Sequence, residues 1–215
     1  MRKRTLEVIT LPLWINRQSF IRVSFAMKMS FASFCRVGFA ALGFYSNHTH
    51  AQPFMIESPA FADQGTLPIK YTCVGSSVSP PLQWSNTPRG TKSFVLILTD
   101  LDAPYGMNRT NTRKFYHWGI FNIPAKLQSL PENADDHLPE AISEAMNDAV
   151  NKNYNPPCPP EGTHRYVFSL YALDKTYKDE AIESAERLQQ WLEDAHSPEY
   201  RHVLGKAKIT TITSF

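Results

Sequence analysis

Cysteine is scarce, at three residues in 215, and neither sign of charge dominates. Lysine and arginine total 22 against 20 aspartate and glutamate, a net charge of +2, and much of the excess falls in the first 36 residues. There is no long basic stripe and no regular interleaving of aromatics, which argues against a nucleic-acid surface. Three catalytic signatures are also missing: a Gly-x-Ser-x-Gly elbow, a His-Glu-x-x-His helix and a phosphate-binding glycine loop. No nucleophile or cofactor cradle is therefore announced, and there is no internal repeat or low-complexity tract. What the chain does have is proline, 16 residues with several in pairs (Pro80-Pro81, Pro156-Pro157, Pro159-Pro160). Short β-prone runs between these prolines predict one mainly β domain with ordered loops.

Residues 1–52 read as an N-terminal extension and 53–215 as the folded domain. Met27-Lys28-Met29 followed by Ser30 to Tyr45 has the basic start and apolar core of a signal peptide, and Thr49-His50-Ala51 offers a small-x-small cleavage site. Met27 or Met29 then serves as the start. The apolar part is broken by Arg36 and falls short of the ~20 residues a spanning helix needs. Export predicts a periplasmic or secreted protein, with a cytoplasmic protein carrying an amphipathic tail as the alternative. Cleavage after Ala51 removes Cys35 and leaves Cys73 and Cys158, either as a disulfide or as two buried thiols.

The domain is organised around Ser93 to Pro104. Ser93-Phe-Val-Leu-Ile-Leu-Thr99 is apolar on both alternating faces, as in a strand covered on both sides. It ends in Asp100 and Asp102, whose spacing puts both carboxylates on one face of an extended chain. Pro104 is expected to stop the strand. Further strands are predicted at 54–56, 67–72, 79–84, 117–124, 164–173 and 206–213. Tyr105 to Tyr116 reads as an exposed loop. Leu138 to Val150 is ambiguous between a short helix and a loop. Glu180 to Ala195 carries an amphipathic stripe, and Ser197-Pro198 opens a second short helix ending near Gly205.

Polar groups gather at the strand ends: Asp100 and Asp102, His117, the Pro159-Pro160-Glu161-Gly162 turn, and His164 with Tyr166. Singly, each has an ordinary structural explanation, such as a turn-organising acid or a hydrogen-bonded core histidine. Together, Ser79-Pro-Pro-Leu-Gln-Trp84, Thr99-Asp-Leu-Asp-Ala-Pro104, His117-Trp-Gly-Ile-Phe-Asn-Ile-Pro124 and Cys158-Pro-Pro-Glu-Gly-Thr-His-Arg-Tyr166 resemble the phosphatidylethanolamine-binding protein family. The match extends from Phe54 to the C-terminus. Tyr71-Thr-Cys73 and Pro157-Cys-Pro-Pro160 point to its bacterial, Raf-kinase-inhibitor-like branch.

This resemblance implies a β-sandwich of two antiparallel sheets with C-terminal helices. It also implies a non-enzymatic pocket for a small anion or phospholipid headgroup, without cofactor. The ligand-binding positions fall on Asp100, Asp102, His117, Pro160, His164 and Tyr166, and Pro104 matches a proline that follows a cis peptide. Leu101 stands where the family usually has proline, and Asn155-Pro156-Pro157 replace glycines, which predicts a looser turn and a reshaped rim. Charged imidazoles beside the acids, the Tyr166 hydroxyl and amides of the Gly162 turn would meet the anion. The acids would orient the histidines or meet an ammonium group. Family members also inhibit kinases or proteases, so such a partner, or peripheral contact with a membrane, is implied by analogy. Two other readings stay open. One is an interaction module using the Tyr105–Tyr116 loop beside a vestigial pocket. The other is an acid–base enzyme, or a metal enzyme with Asp100, Asp102, His117 and His164 as ligands.

Overall fold

The computed structural model describes Leu13–Trp14, Phe20–Ile21 and residues 52–105, 111–178 and 182–215. The expected signal segment, its cleavage site and Cys35 lie outside the described residues. The contacts divide the chain into Met1–Thr49 and His50–Phe215. In the first unit β1 (Leu13–Trp14) pairs antiparallel with β2 (Phe20–Ile21).

In the second unit β6 (Ser93–Tyr105) is central. It pairs antiparallel with β7 (Asn111–Pro124) on one side and β10 (Thr163–Leu173) on the other. Beyond β10 lies β11 (Val203–Ser214), and beyond that the parallel β4 (Gly65–Thr66); β9 (Ser143–Glu144) closes the opposite edge. A second, antiparallel sheet stacks β3 (Met55–Glu57), β5 (Leu82–Ser85) and β8 (Ser129–Leu130). The mainly β sandwich expected from the sequence is the fold found.

The double-faced apolar run of β6 has a simple cause. Phe94, Leu96 and Leu98 enter the core between the sheets with Ile56, Leu82, Trp84 and Phe168, while Val95 and Ile97 face a second core. All five residues of this run are at most 1% exposed. The second core is roofed by α1 (Ala185–Glu193), whose Leu188 and Leu192 pack on Tyr171 and Leu173. Ser184 caps α1, its Oγ accepting from the Arg187 amide at 3.1 Å. The helix seats directly on β7 because Gly119 has no side chain; a Cβ there would lie 2.7 Å from Cβ of Ala185.

Several expected boundaries move. β6 runs through Pro104 to Tyr105, and β7 starts at Asn111, so residues assigned to an exposed loop form a two-stranded extension; 106–110 lie outside the described residues. His117 is therefore within β7 rather than at its entrance. The 67–72 segment is not a strand: Pro68 lacks an amide hydrogen, and a 3-10 turn forms at Ile69–Tyr71. Leu138 to Val150 does not become helical, because two of its amides go to the edge of β7 and its internal bonds, Ile142 to the Pro139 carbonyl and Val150 to that of Asn147, close only three-residue turns. Ala145 donates to the Gly119 carbonyl and Asp148 to that of Tyr116, each at 2.9 Å. The helix predicted to Ala195 stops at Glu193, and the second short helix is a 3-10 turn, Tyr200–His202, with Gly205 already inside β11. No cis peptide occurs among the described residues, including the one before Pro104.

The helix seat is testable. Gly119→Ala is expected to lower unfolding free energy by about 1–3 kcal/mol, because packed core has little room to shift; urea denaturation of the variant and its parent measures this.

Candidate functional site

The site begins with a kink in β6. Asp100 pairs with Phe115 and Ala103 with Arg113, so three steps along β6 span two along β7. The extra residue makes a bulge, closed by the Asp102 amide donating to Oδ1 of Asp100 at 2.8 Å. The bulge corrects the same-face expectation for the two acids. Asp100, 3% exposed, turns inward, and its Oδ2 lies 2.7 Å from Nδ1 of His164. Asp102 turns to the rim and takes the Arg165 amide at 2.9 Å and two guanidinium hydrogen bonds, from Nε at 2.8 Å and Nη2 at 2.7 Å. That guanidinium holds the Asp102 carboxyl below the usual carboxylate range and raises its own pKa in return.

Strand pairing supplies the other groups. Tyr166 pairs with Asp100 across β10, which puts His164, two residues earlier, on the same inner face. His117 and Tyr166 meet edge to face with ring centroids 5.3 Å apart, and Phe115 backs His117 at 4.8 Å. These rings, with Asp100, Pro160 and the Asn155–Cys158 segment, enclose a cavity of about 260 Å³. Asp100, His117, Pro160, His164 and Tyr166 all line it, as does Pro104; Asp102 and Gly162 do not.

Each polar group in the cavity has a defined role. Each oxygen of Asp100 takes one hydrogen bond, from the Asp102 amide and from His164, so this acid orients His164. His117 donates from Nδ1 to the Asn155 carbonyl at 2.8 Å. Burial pushes its pKa down despite the pull of Asp100, so the expectation of a charged imidazole is corrected at this position. The Tyr166 hydroxyl is completely buried, beside the Asp100 carboxylate and the Cys158 backbone. Its burial and the nearby Asp100 carboxylate raise its pKa, which keeps it a neutral donor.

The wall beside His117 rests on two devices. Pro156, Pro157, Pro159 and Pro160 offer no amide hydrogens, so this segment is tied down otherwise. Cys158 is joined to Cys73 by a disulfide spanning 85 residues, and the Cys73 amide donates to the Pro157 carbonyl at 3.1 Å. Of the two readings of these cysteines, the disulfide is therefore the one found. Upstream, buried Asn147 gathers the loop through its side chain. Its Nδ2 donates to the carbonyls of His117 at 3.2 Å and Asn153 at 2.8 Å, and its Oδ1 accepts from the amides of Ala149 and Asn151. Asn155 then pairs with the His117 backbone, its amide donating to that carbonyl at 3.0 Å.

Asn147, Phe115 and Ala103 are residues at the site that sequence reasoning passed over, and Asn155, expected only to reshape the rim, also pairs with His117. The asparagines carried a signal, since four of them between 147 and 155 mark a side-chain-organised loop. Phe115 and Ala103 carried none, because only the bulge registers them on the cavity. The quartet of metal ligands does not assemble, with Asp102 bound to Arg165. Among the described residues no group of three or more His, Cys, Asp or Glu side chains is arranged to hold a metal.

A two-sheet sandwich with a small polar cavity at one end of its central strands defines a class of small-ligand-binding domains. Residues 57–213 match the family described as phosphatidylethanolamine-binding protein. The chain is 40% identical over 156 residues to a UPF0098 protein of Methanothermobacter thermautotrophicus, covering 72% of this chain and 94% of that one. Among solved structures it resembles CT736 of Chlamydia trachomatis, a phosphatidylethanolamine-binding protein homologue, with a TM-score of 0.65 and 31% identity over 76% of this chain and 98% of that one. It also resembles Escherichia coli YbcL, described as a member of the mammalian PEBP family, with a TM-score of 0.63 and 29% identity over 76% and 99% of the two chains. The chain belongs to the phosphatidylethanolamine-binding protein family. Its fold is the non-enzymatic fold of that family, with a potential small-anion surface.

Two expectations follow for the wall. Replacing both Cys73 and Cys158 by serine should cost about 4 kcal/mol for a loop of this length, measured by urea unfolding of oxidised parent and variant. Asn147→Ala leaves several buried backbone groups without partners and should cost about 1–3 kcal/mol in the same assay.

Proposed function

We propose that the domain is a non-enzymatic receptor for a small anion, either free phosphate or the phosphate of a phospholipid headgroup. The observation that carries this reading is the cavity of about 260 Å³ at the end of the central strands, lined by His117, His164 and Tyr166. A volume of about 260 Å³ lies below the ~300–1,000 Å³ of ordinary drug-sized sites. It suits phosphate or a phosphorylated headgroup and leaves acyl chains outside, consistent with peripheral contact at a membrane surface.

Two finer statements extend this reading. Tyr71-Thr-Cys73 and Pro157-Cys-Pro-Pro160 support placement in the bacterial Raf-kinase-inhibitor-like branch, and with it a regulatory partner such as a kinase or protease. The Cys73–Cys158 disulfide, together with the basic-then-apolar segment from Met27, supports export to the periplasm or beyond, where disulfides persist.

The test is an NMR titration of the full chain with phosphate and phosphoethanolamine. Both ligands should shift His117, His164 and Tyr166, and His164→Ala should weaken binding at least about tenfold, the loss of one charge-assisted hydrogen bond. Because the Asp100 carboxylate is buried and already bonded to His164 and the Asp102 amide, the two ligands should bind within about fivefold of each other, the most an exposed ion pair would add. No shift at millimolar ligand would reject the anion site and leave an interaction module as the reading to pursue.

A further inference from the structure

Residues 53–215 carry 15 lysines and arginines against 19 aspartates and glutamates, so the domain itself is acidic. That charge is not spread evenly. At the end of the large sheet opposite the cavity, where β6 begins and β10 stops, four segments bring cations together. The Lys92 amide donates to the Leu173 carbonyl at 2.7 Å, and the Lys92 carbonyl accepts from the Ala125 amide at 3.3 Å, which puts Lys126 alongside. One residue beyond Leu173, the Asp174 amide donates to the His202 carbonyl at 3.1 Å, which brings in Arg201. The turn holding Arg89 lies against the start of β11, since a Cβ on Gly90 would stand 3.7 Å from Cδ1 of Leu204. Arg89, Lys92, Lys126 and Arg201 are all exposed, and none of their side chains has a hydrogen bond or ion pair among the described residues. Two carboxylates at this end are already committed: Asp174 meets Nδ1 of His202 at 2.7 Å, and Glu199 meets Nζ of Lys175 at 2.8 Å. Two apolar side chains stand among the cations, Tyr200 and Leu204, 46% and 38% exposed on either side of Arg201 and His202.

We propose that this end of the sandwich is a docking surface for an anionic lipid bilayer, with Arg89, Lys92, Lys126 and Arg201 on the headgroups and Tyr200 and Leu204 entering the interface. It goes beyond the anion-receptor reading and uses none of the cavity residues. The cavity then opens away from the bilayer, so the docked domain takes its anion from solution.

Magnitudes favour a bilayer over an acidic peptide as the occupant. Each lysine or arginine near an anionic membrane surface adds about fivefold to binding, and the surface potential acts on all four cations without ordering a partner chain. An exposed ion pair with a peptide carboxylate adds between nothing and about fivefold, and the peptide must be ordered to make it. Tyrosine beside basic residues suits the membrane interface, where the ring is buried and the hydroxyl stays wet. The acids of the cavity end do not oppose docking. Asp100 and Asp102 stand seven and nine residues along β6 from Ser93, beyond the ~8 Å over which exposed charges act at physiological salt.

The first 36 residues are also basic, so the test needs a local readout. Lysine acetylation of the full chain, read by mass spectrometry, would be compared in solution, on vesicles of phosphatidylglycerol in phosphatidylcholine, and on vesicles of phosphatidylcholine alone. Lys92 and Lys126 should be protected on the anionic vesicles only, while Lys152, exposed on the loop before the cavity wall, reacts as in solution. Combining Arg89→Gln, Lys92→Gln, Lys126→Gln and Arg201→Gln should weaken binding to the anionic vesicles at least about 25-fold, the share of two fully acting cations. Vesicle binding that leaves Lys92 and Lys126 reactive, or equal binding by the variant, would overturn the proposal and assign attachment to the basic N-terminal segment. Failure to bind the anionic vesicles would also overturn it, and protection of Lys92 and Lys126 by polyglutamate in that case would give the surface to an acidic protein partner.

Discussion

The end of the sandwich that matters is held by one buried contact, the 2.7 Å pair between Asp100 and His164, whose side chains are 4% and 7% exposed. A carboxylate this far from water is tolerated only when its oxygens are occupied. Here His164 takes one and the Asp102 amide takes the other. Those two demands explain the local backbone. The Asp102 amide reaches back only if β6 bulges, and the bulge in turn releases Asp102 to the rim, where Arg165 satisfies it. One acid becomes part of the cavity and the other part of its scaffold, although they stand two residues apart.

The opposite wall solves a different problem. A segment with four prolines in five residues, 156–160, has few amide hydrogens with which to be fastened, and its prolines add no amide donors to the cavity wall. The fastening comes from elsewhere: the Cys73–Cys158 disulfide, the Asn155 backbone pair with His117, and the Asn147 hub beneath. The result is a small cavity with few donors, each held in place by neighbours that it does not itself move.

Much of this was legible in the chain. The double-faced apolar run 93–99 announced a central strand covered on both sides, the stripe after Ile182 announced the helix above it, and ordered motifs picked out Asp100, His117, Pro160, His164 and Tyr166. Less legible were features decided by competition between distant partners. Leu138 to Val150 has helical spacing, yet the free edge of β7 outbid its own carbonyls. Pro104 looked like a terminator, yet β7 continued beside it and the strand ran on. Asp100 and Asp102 looked like a facing pair, and the bulge separated them.

The sequence by itself determined the family, the β-sandwich and the residue types available at the cavity, because alternation, proline placement and motif order act locally and survive without neighbours. Only the tertiary structure decided which acid enters the site, which nitrogen of each histidine is committed, and that Cys73 meets Cys158. Each of those outcomes depends on strand register and on groups brought together across tens of residues. No window of sequence contains the two partners of a hydrogen bond 64 positions apart.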